Sequence, residues 1–489
     1  MQSLTRRQFA LGAGGALAGA SALGAMGCAG PPAEPGSARS PAAAGPARVT
    51  RGGADLRTPR DTPPGETWHY QITLPFQAGP RLAAVFCNIR KAYAPGVDFE
   101  NGADVILFDD LARIRPERAL ALTRNHEEPN PNTTPPGKRS IMVKYISRGG
   151  FVPFGARRDD ASPHPHAGTG FALNQALAWP IGEKRYIRKL STYYRGPEQH
   201  LYFEVQQLAC DGTTFRVLGN DRLAPDRFVA GWSMRDGALT NAIADGDDLL
   251  LAMSAGRRAD ETLSGVMRWR RDPARGWQPV DFLPVEGSDG SGEPSLVRDR
   301  DGSLLFSARG GRDALHDIRV WRSGDGGRAW AETVHVVGIV GSTPITLNRA
   351  ADGTPYVAAN VYEVPLVPMA ERFTPSMDDR GRVRGGGWTR EKLYLWPLDP
   401  TRTRLAAPVL ARDCRTEFGP PPGGSSWNVD RPSAATVRLS DGAWHNVLAF
   451  RIVERGEITD GIGPAPPTGA YVEEVLSSGP AVPAWNFGD

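Results

Sequence analysis

The stretch Glu293-Pro294-Ser295-Leu296-Val297-Arg298, followed by Asp301-Gly302 and then Leu304-Leu305-Phe306-Ser307-Ala308-Arg309, reads as strand, tight turn, strand. An Asp-Gly pair between two apolar runs is a hairpin signal, because the turn needs positive φ and Gly supplies it without steric cost. The unit recurs as Pro344-Ile345-Thr346-Leu347, Asp352-Gly353 and Tyr356 to Asn360. It recurs again as Pro432 to Leu439, Asp441-Gly442 and Asn446 to Arg451. The gap between Asp352 and Asp441 leaves room for two units of about 45 residues, close to the period of propeller blades.

A second repeat interleaves with the first. Val266-Met267-Arg268-Trp269 precedes Asp272 and Gly276-Trp277, and Ile318-Arg319-Val320-Trp321 precedes Asp325 and Trp330. Leu393-Tyr394-Leu395-Trp396 is a third, degenerate copy. Each unit thus holds a hairpin, a third apolar strand ending in Trp, and a polar turn, which makes four strands per unit. Upstream, Thr240 to Met253 is another hairpin, Ala83-Ala84-Val85-Phe86 pairs with Val105-Ile106-Leu107-Phe108, and Leu201 to Val205 is a strand. The best helical periodicity lies in Leu111 to Leu122. The expected fold is all-β: a single β-propeller of four-stranded blades over residues 67–489. Six blades fit the length best, with five or seven open.

Ser323-Gly324-Asp325-Gly326-Gly327-Arg328-Ala329-Trp330 has the pattern S-x-D-x-G-x-x-W, and it resembles the Asp-box of sialidases and related propellers. Physically, Asp325 can bond the amides of a tight turn, Gly327 permits positive φ, and Trp330 packs between blades. Ser323 completes the box, whose role is structural. The order Glu293, Asp301-Gly302, Arg309 and then the box also resembles sialidases. That resemblance implies Glu293 as the base that activates a tyrosine nucleophile, and Arg309 as one of three arginines clamping a substrate carboxylate. A neutral Tyr is a poor nucleophile until a carboxylate takes its proton, and guanidinium forks grip carboxylates with two parallel hydrogen bonds. The family's early Arg-Ile-Pro motif is absent. Asp160, within Arg157-Arg158-Asp159-Asp160, is the candidate acid/base. Arg349 and Arg431 are candidates for the remaining clamp position, and Tyr471 or Tyr362 for the nucleophile.

Two further clusters carry chemistry-bearing residues. In Ser162-Pro163-His164-Pro165-His166-Ala167-Gly168, His164 and His166 alternate on one extended face as a candidate general base. A third and fourth metal ligand at local spacing is missing, so no metal site is expected. In Trp427-Asn428-Val429-Asp430-Arg431, Trp427 and Asp430 at a strand entrance suit a sugar face and its hydroxyls. Gly149-Gly150 and Gly385-Gly386-Gly387 follow no strand-to-helix pattern, and no G-x-S-x-G, Walker or H-E-x-x-H sequence occurs, so no cofactor is expected.

The chain begins with a leader. Thr5-Arg6-Arg7-Gln8-Phe9 and the Gly/Ala-rich run to Met26 resemble a twin-arginine export signal, too short and weakly apolar for a good membrane span. Cys28 after small residues resembles a lipoprotein site, although Ala25 stands where that family usually has Leu. Residues 1–28 are therefore read as the signal, with possible lipidation of Cys28 as the sole membrane tether. Residues 29–66, dense in Pro, Ala and Gly, are read as a flexible tether. The implied location is the periplasm or cell envelope, with the twin-arginine translocase as partner during export. The net charge of +3 comes from 57 Lys and Arg against 54 Asp and Glu, interspersed, which is no nucleic-acid footprint. Cys87, Cys210 and Cys414 leave one disulfide or buried thiols open. Three functions follow from these readings: a sialidase-like glycoside hydrolase on an acidic or complex sugar, a polysaccharide lyase using a His/Tyr pair, or a non-catalytic propeller binding glycan or protein.

Overall fold

The computed structural model describes residues 49–488 apart from 57–60, 65–66, 95–96, 181–199, 238, 259–260, 311–316, 338, 341–342, 361–375, 378–382, 385–389, 420–425, 456–468 and 478–479. Six antiparallel sheets form the blades of a β-propeller, and each is a meander whose first strand is innermost. Blade 1 is Thr67–Gly79, Leu82–Ala94, Val97–Phe108 and Ala119–Arg124. Blade 2 is Lys138–Val152, Thr169–Pro180, Leu201–Cys210 and Phe215–Leu223, with His126–Asn130 added beside its first strand. Blade 3 has a split inner strand, Ser233–Gly237 and Ile243–Asp245, followed by Asp248–Gly256, Leu263–Asp272 and Gly276–Pro284. Blade 4 is Gly292–Arg298, Leu304–Arg309, Ile318–Ser323 and Ala331–Val336. Blade 5 is Thr346–Arg349, Pro355–Ala359, Lys392–Pro397 and Val409–Asp413. Blade 6 is Ser426–Arg438, Trp444–Arg455 and Gly469–Val475, and its outermost strand is Val49–Leu56 from the other end of the chain.

The core is distributed over the seams between blades, as two-faced sheets in a ring require. Phe76, Phe86, Phe151 and Phe215 fill the seam of blades 1 and 2, and Phe171 of blade 2 stacks on Trp269 of blade 3 at 4.0 Å. The tryptophans that end third strands in the sequence repeat thus serve as seam fillers.

The turns explain why the meanders form. Between strands one and two, Asp301, Asp352 and Asp441 each accept a backbone N–H two residues on, beside a Gly at positive φ. Between strands three and four, Asp325 Oδ1 accepts from the amides of Arg328 and Ala329, both at 3.0 Å. Ser323 Oγ takes the Gly327 amide, and Trp330 packs near Phe306, with ring centroids 5.6 Å apart. Asp110, Asp211, Asp272 and Asp399 bond amides at the matching turn of blades 1, 2, 3 and 5. Only the blade 4 turn carries the whole sequence pattern, but the aspartate's function is shared by five blades.

Three sequence expectations are corrected. Val49–Leu56 lies inside the stretch read as tether, yet it forms the outer strand of blade 6, pairing Val49 with Val475. A polar, Gly-containing strand at a sheet edge carries little hydrophobic signal. Leu111 to Leu122 is no helix but two 3₁₀ turns leading into a strand. The wide gap between Asp352 and Asp441 holds the rest of blade 5 and the first strand of blade 6, one blade period and not two, because strands two and three of blade 5 are separated by an insertion. Of the two readings left open for the cysteines, the second holds: Cys87, Cys210 and Cys414 are buried thiols in three different seams, and no disulfide joins them. The leader, Arg6, Arg7 and Cys28 lie outside the described residues.

Candidate functional site

Each innermost strand starts at one end of the central axis, here called the entrance, and finishes at the other, the exit. Near the entrance the innermost strands of blades 1, 2, 3, 4 and 6 all slip register against their neighbours, between Tyr70 and Thr73, Ile146 and Arg148, Met234 and Asp236, Gly292 and Ser295, and Asp430 and Ser433. A bulge re-aims a side chain that the two-residue strand period would otherwise send elsewhere. In blades 4 and 6 the bulge is Glu293-Pro294 and Arg431-Pro432, and Glu293 and Arg431 sit in the left-handed region at φ 48° and 53°. Non-glycine residues rarely adopt that conformation, and it concentrates at functional sites.

These two residues meet. Glu293 accepts from Arg309 Nη1 at 2.8 Å within blade 4, and its other oxygen lies 3.6 Å from Arg431 Nη2 of blade 6. Burial alone would raise the Glu293 pKa. Arg309 and Arg431, with Arg390 behind them, outweigh it and hold the carboxyl below the ordinary glutamate range. The side chains of Arg309 and Arg431 remain 26% and 30% exposed, so both are reachable from the entrance.

Behind them lies a buried lattice. Asp430 is fully buried and accepts from Arg390 Nη1 at 2.6 Å and from Arg451 through both Nε and Nη2. Burial would raise the Asp430 pKa, but Arg451 and Arg390, then Arg431, push it far down. Arg451 Nη1 donates to Gln71 of blade 1 at 2.8 Å, and Gln71 Nε2 lies 3.1 Å from His69 Nε2. Burial, then the charges of Arg90 and Arg451, lower the His69 pKa to about 3. The described lattice therefore runs from blade 4 through blades 5 and 6 to blade 1.

The structure sorts the sequence candidates. It joins Glu293, Arg309, Arg431 and Asp430 at the entrance. Arg390, Arg451, Gln71 and His69 were not singled out from sequence. Their signal was faint: the residue before each Pro-Ser in the repeat marks the bulge, but its partners are set by ring closure.

Tyr471 is corrected as a nucleophile. It lies in the seam of blades 5 and 6, stacked on Phe450 at 5.8 Å with the Arg412 guanidinium over its ring. Among the described residues the partners of Glu293 are Arg309 and Arg431. Tyr362 lies outside the described residues. Trp427 is corrected as a sugar platform: it is buried in the same seam, and its indole donates to the Gly419 carbonyl at 2.7 Å.

Asp160, His164 and Arg349 all line a cavity of about 800 Å³ at the exit, bounded by the far ends of the innermost strands. They therefore cannot act with Glu293. Asp160 is an exposed turn carboxylate whose bonds from Ser162 lower its pKa, the wrong direction for a general acid. The His166 amide lies 3.2 Å from His164 Nδ1, and His164 Nε2 lies 3.2 Å from the Gly246 carbonyl. His166 packs on Trp277, and burial, then Arg271 and His164, lower its pKa. No group of three or more potential metal-ligating His, Cys, Asp or Glu side chains occurs among the described residues.

No protein-family model matches the sequence, and no curated protein is similar to it. Solved structures of similar fold include a protein of unknown function from Dyadobacter fermentans DSM 18053, 11% identical over 88% of this chain and 99% of that one, with a TM-score of 0.52. Others are the NanB sialidase from Streptococcus pneumoniae, 10% identical over 86% of this chain and 70% of that one at 0.49, and the Penicillium chrysogenum alpha-L-arabinanase, 9% identical over 88% and 98% at 0.43. Similarity at these identities speaks of fold alone.

Proposed function

We propose that the protein recognises an acidic glycan at the entrance of the propeller axis, where Glu293, Arg309 and Arg431 meet. The observation that carries this reading is the convergence of two part-exposed guanidinium groups from different blades on one carboxylate. Arginine presents a planar fork suited to carboxylate and is weakly hydrated, so it is the residue suited to such a site. A sugar carboxylate entering there would meet Arg431 in exchange for its 3.6 Å ion pair, which is longer than a hydrogen bond. The leader read at Arg6-Arg7 would place this site outside the inner membrane, where such glycans are met.

The test is titration of an oligogalacturonate and a neutral oligosaccharide into the folded protein and into Arg431→Met. The acidic oligomer should bind the parent protein, prefer it over the neutral one, and lose at least tenfold affinity in the variant, as expected for a charge-assisted bond worth about 1.5–3 kcal/mol. Equal binding by the variant would remove Arg431 from the site.

Hydrolysis is the second reading, carried by the position of Glu293 on a strained bulge at the axis. Release of reducing ends from an acidic polysaccharide, abolished in Glu293→Gln, would support it. Products that absorb in the ultraviolet would instead indicate a lyase.

A further inference from the structure

The exit end of the axis carries a second cavity that the entrance site does not use. All six blades line it: Gln77, Gly150, Asn241, Arg298, Arg349 and Thr436 mark blades 1 to 6 in turn. Its volume of about 800 Å³ lies in the range of small-molecule sites. Rim residues Arg157, Asp159 and Asp160 are exposed, so the cavity is open to solvent.

The segment after blade 6 forms one wall. The Val482 amide donates to the Ala351 carbonyl of blade 5 at 2.7 Å, and the Arg157 amide of blade 2 donates to the Asn486 carbonyl at 2.7 Å. Blades 5 and 2 are opposite in a ring of six, so the segment crosses the mouth. It brings Trp485 to the cavity, half-buried with its ring edge-on to His164.

The polar groups on this wall are unevenly satisfied. Arg298 is paired with Asp245 and Arg158 with Asp247. Among the described residues Arg349 makes no ion pair and its buried Nε finds no acceptor, while its Nη2 donates to the Val482 carbonyl at 2.7 Å. Burial, then the charge of Arg300, disfavours its charged form and outweighs the carboxylates of Asp299 and Asp352. Asn241 Oδ1 and Thr436 Oγ1 are likewise buried without a hydrogen-bond partner. A part-buried cation lacking a carboxylate is costly unless an anion completes it. The surrounding amide, hydroxyl and indole groups suit sugar hydroxyls and a sugar face.

We infer that the exit cavity is a second ligand site, which takes a small sugar acid of one or two rings with its carboxylate on Arg349 and a ring face against Trp485. No residue of this site belongs to the entrance lattice, so the two stand or fall separately.

The probes are sodium glucuronate, glucose and sodium sulfate, titrated by calorimetry into the full propeller chain. Glucuronate should bind the parent protein, with glucose and sulfate each at least tenfold weaker. Arg349→Met should weaken glucuronate at least tenfold and Trp485→Leu severalfold, both measured in an Arg431→Met background so that the entrance adds no binding of its own. Thermal unfolding checks that each variant is folded; if Arg349→Met is not, Trp485→Leu decides. The inference is overturned if glucuronate does not bind the Arg431→Met protein, if sulfate binds it as tightly as glucuronate, or if the exit variants bind like that background.

Discussion

The two ends of the axis are built from the same six strands, yet they use charge differently. At the entrance, acid and base are locked across blades, Glu293 to Arg431 and Asp430 to Arg390, while Arg451 holds Asp430 within blade 6 and reaches Gln71 of blade 1. At the exit the pairs that line the cavity, Arg158–Asp247 and Arg298–Asp245, join blades 2 to 4 and surround open space. The bulges make the difference. Five slips of register near the entrance turn strand residues toward one another, whereas where the described innermost strands finish only blade 1 slips, between Gln77 and Gly79. One end is a cross-braced lattice fronted by two part-exposed arginines and the other a chamber, so substitutions in the buried lattice should cost stability, and those at Arg431 or in the chamber should cost ligand affinity.

The largest expected effect tests the lattice. Asp430→Asn should destabilise the fold by about 3–5 kcal/mol, because removing one partner of a buried ion pair leaves the other uncompensated. Denaturant unfolding would show it as a lower midpoint, and a change under about 1 kcal/mol would mean the lattice is not braced through Asp430.

His69 gives a smaller effect with a definite sign. Its folded pKa of about 3 lies below the ordinary 6.5, so between those values the unfolded chain binds a proton that the folded chain refuses. Stability therefore falls as pH drops from about 6.5 toward 3. Glu293 and Asp430, whose pKa values are lowered, lose their stabilising contribution in the same direction but only where carboxylates titrate. His69→Gln should remove the early part of the loss, about 1–2 kcal/mol between about pH 6.5 and 5. Unfolding curves at those two pH values check it; the same slope in both proteins would remove His69 as its source.

The smallest effect lies at neither end. Asp325→Ala deletes the acceptor for two amides in an exposed turn and should cost about 1 kcal/mol, with oligogalacturonate binding unchanged. A loss of binding there would tie the blade 4 rim to the entrance.

How much of this was legible in the sequence follows from the range of each interaction. Asp301-Gly302 and Ser323 to Trp330 are local turns whose hydrogen bonds close within a few residues, so they announced strands and blades directly. Glu293 and Arg309 share one hairpin, so their spacing sufficed. Arg451 and Gln71 meet only because the last blade closes on the first. Val49–Leu56 owes its place to a partner strand near the other end of the chain and to no hydrophobic pattern of its own. The histidines and Asp160 were visible as unusual residues, but which mouth of the axis they served depended on strand direction in three dimensions.

The pairing of Val49 with Val475 also sets a timetable. As the chain is made, blades 1 to 5 can each zip up from neighbouring residues, but blade 6 needs one strand from the beginning and three from the end. The first strand must wait, its edge unsatisfied, until nearly the whole chain has emerged. Such distant pairings come late in folding. Anything that binds Val49–Leu56 during that wait competes with closure of the ring.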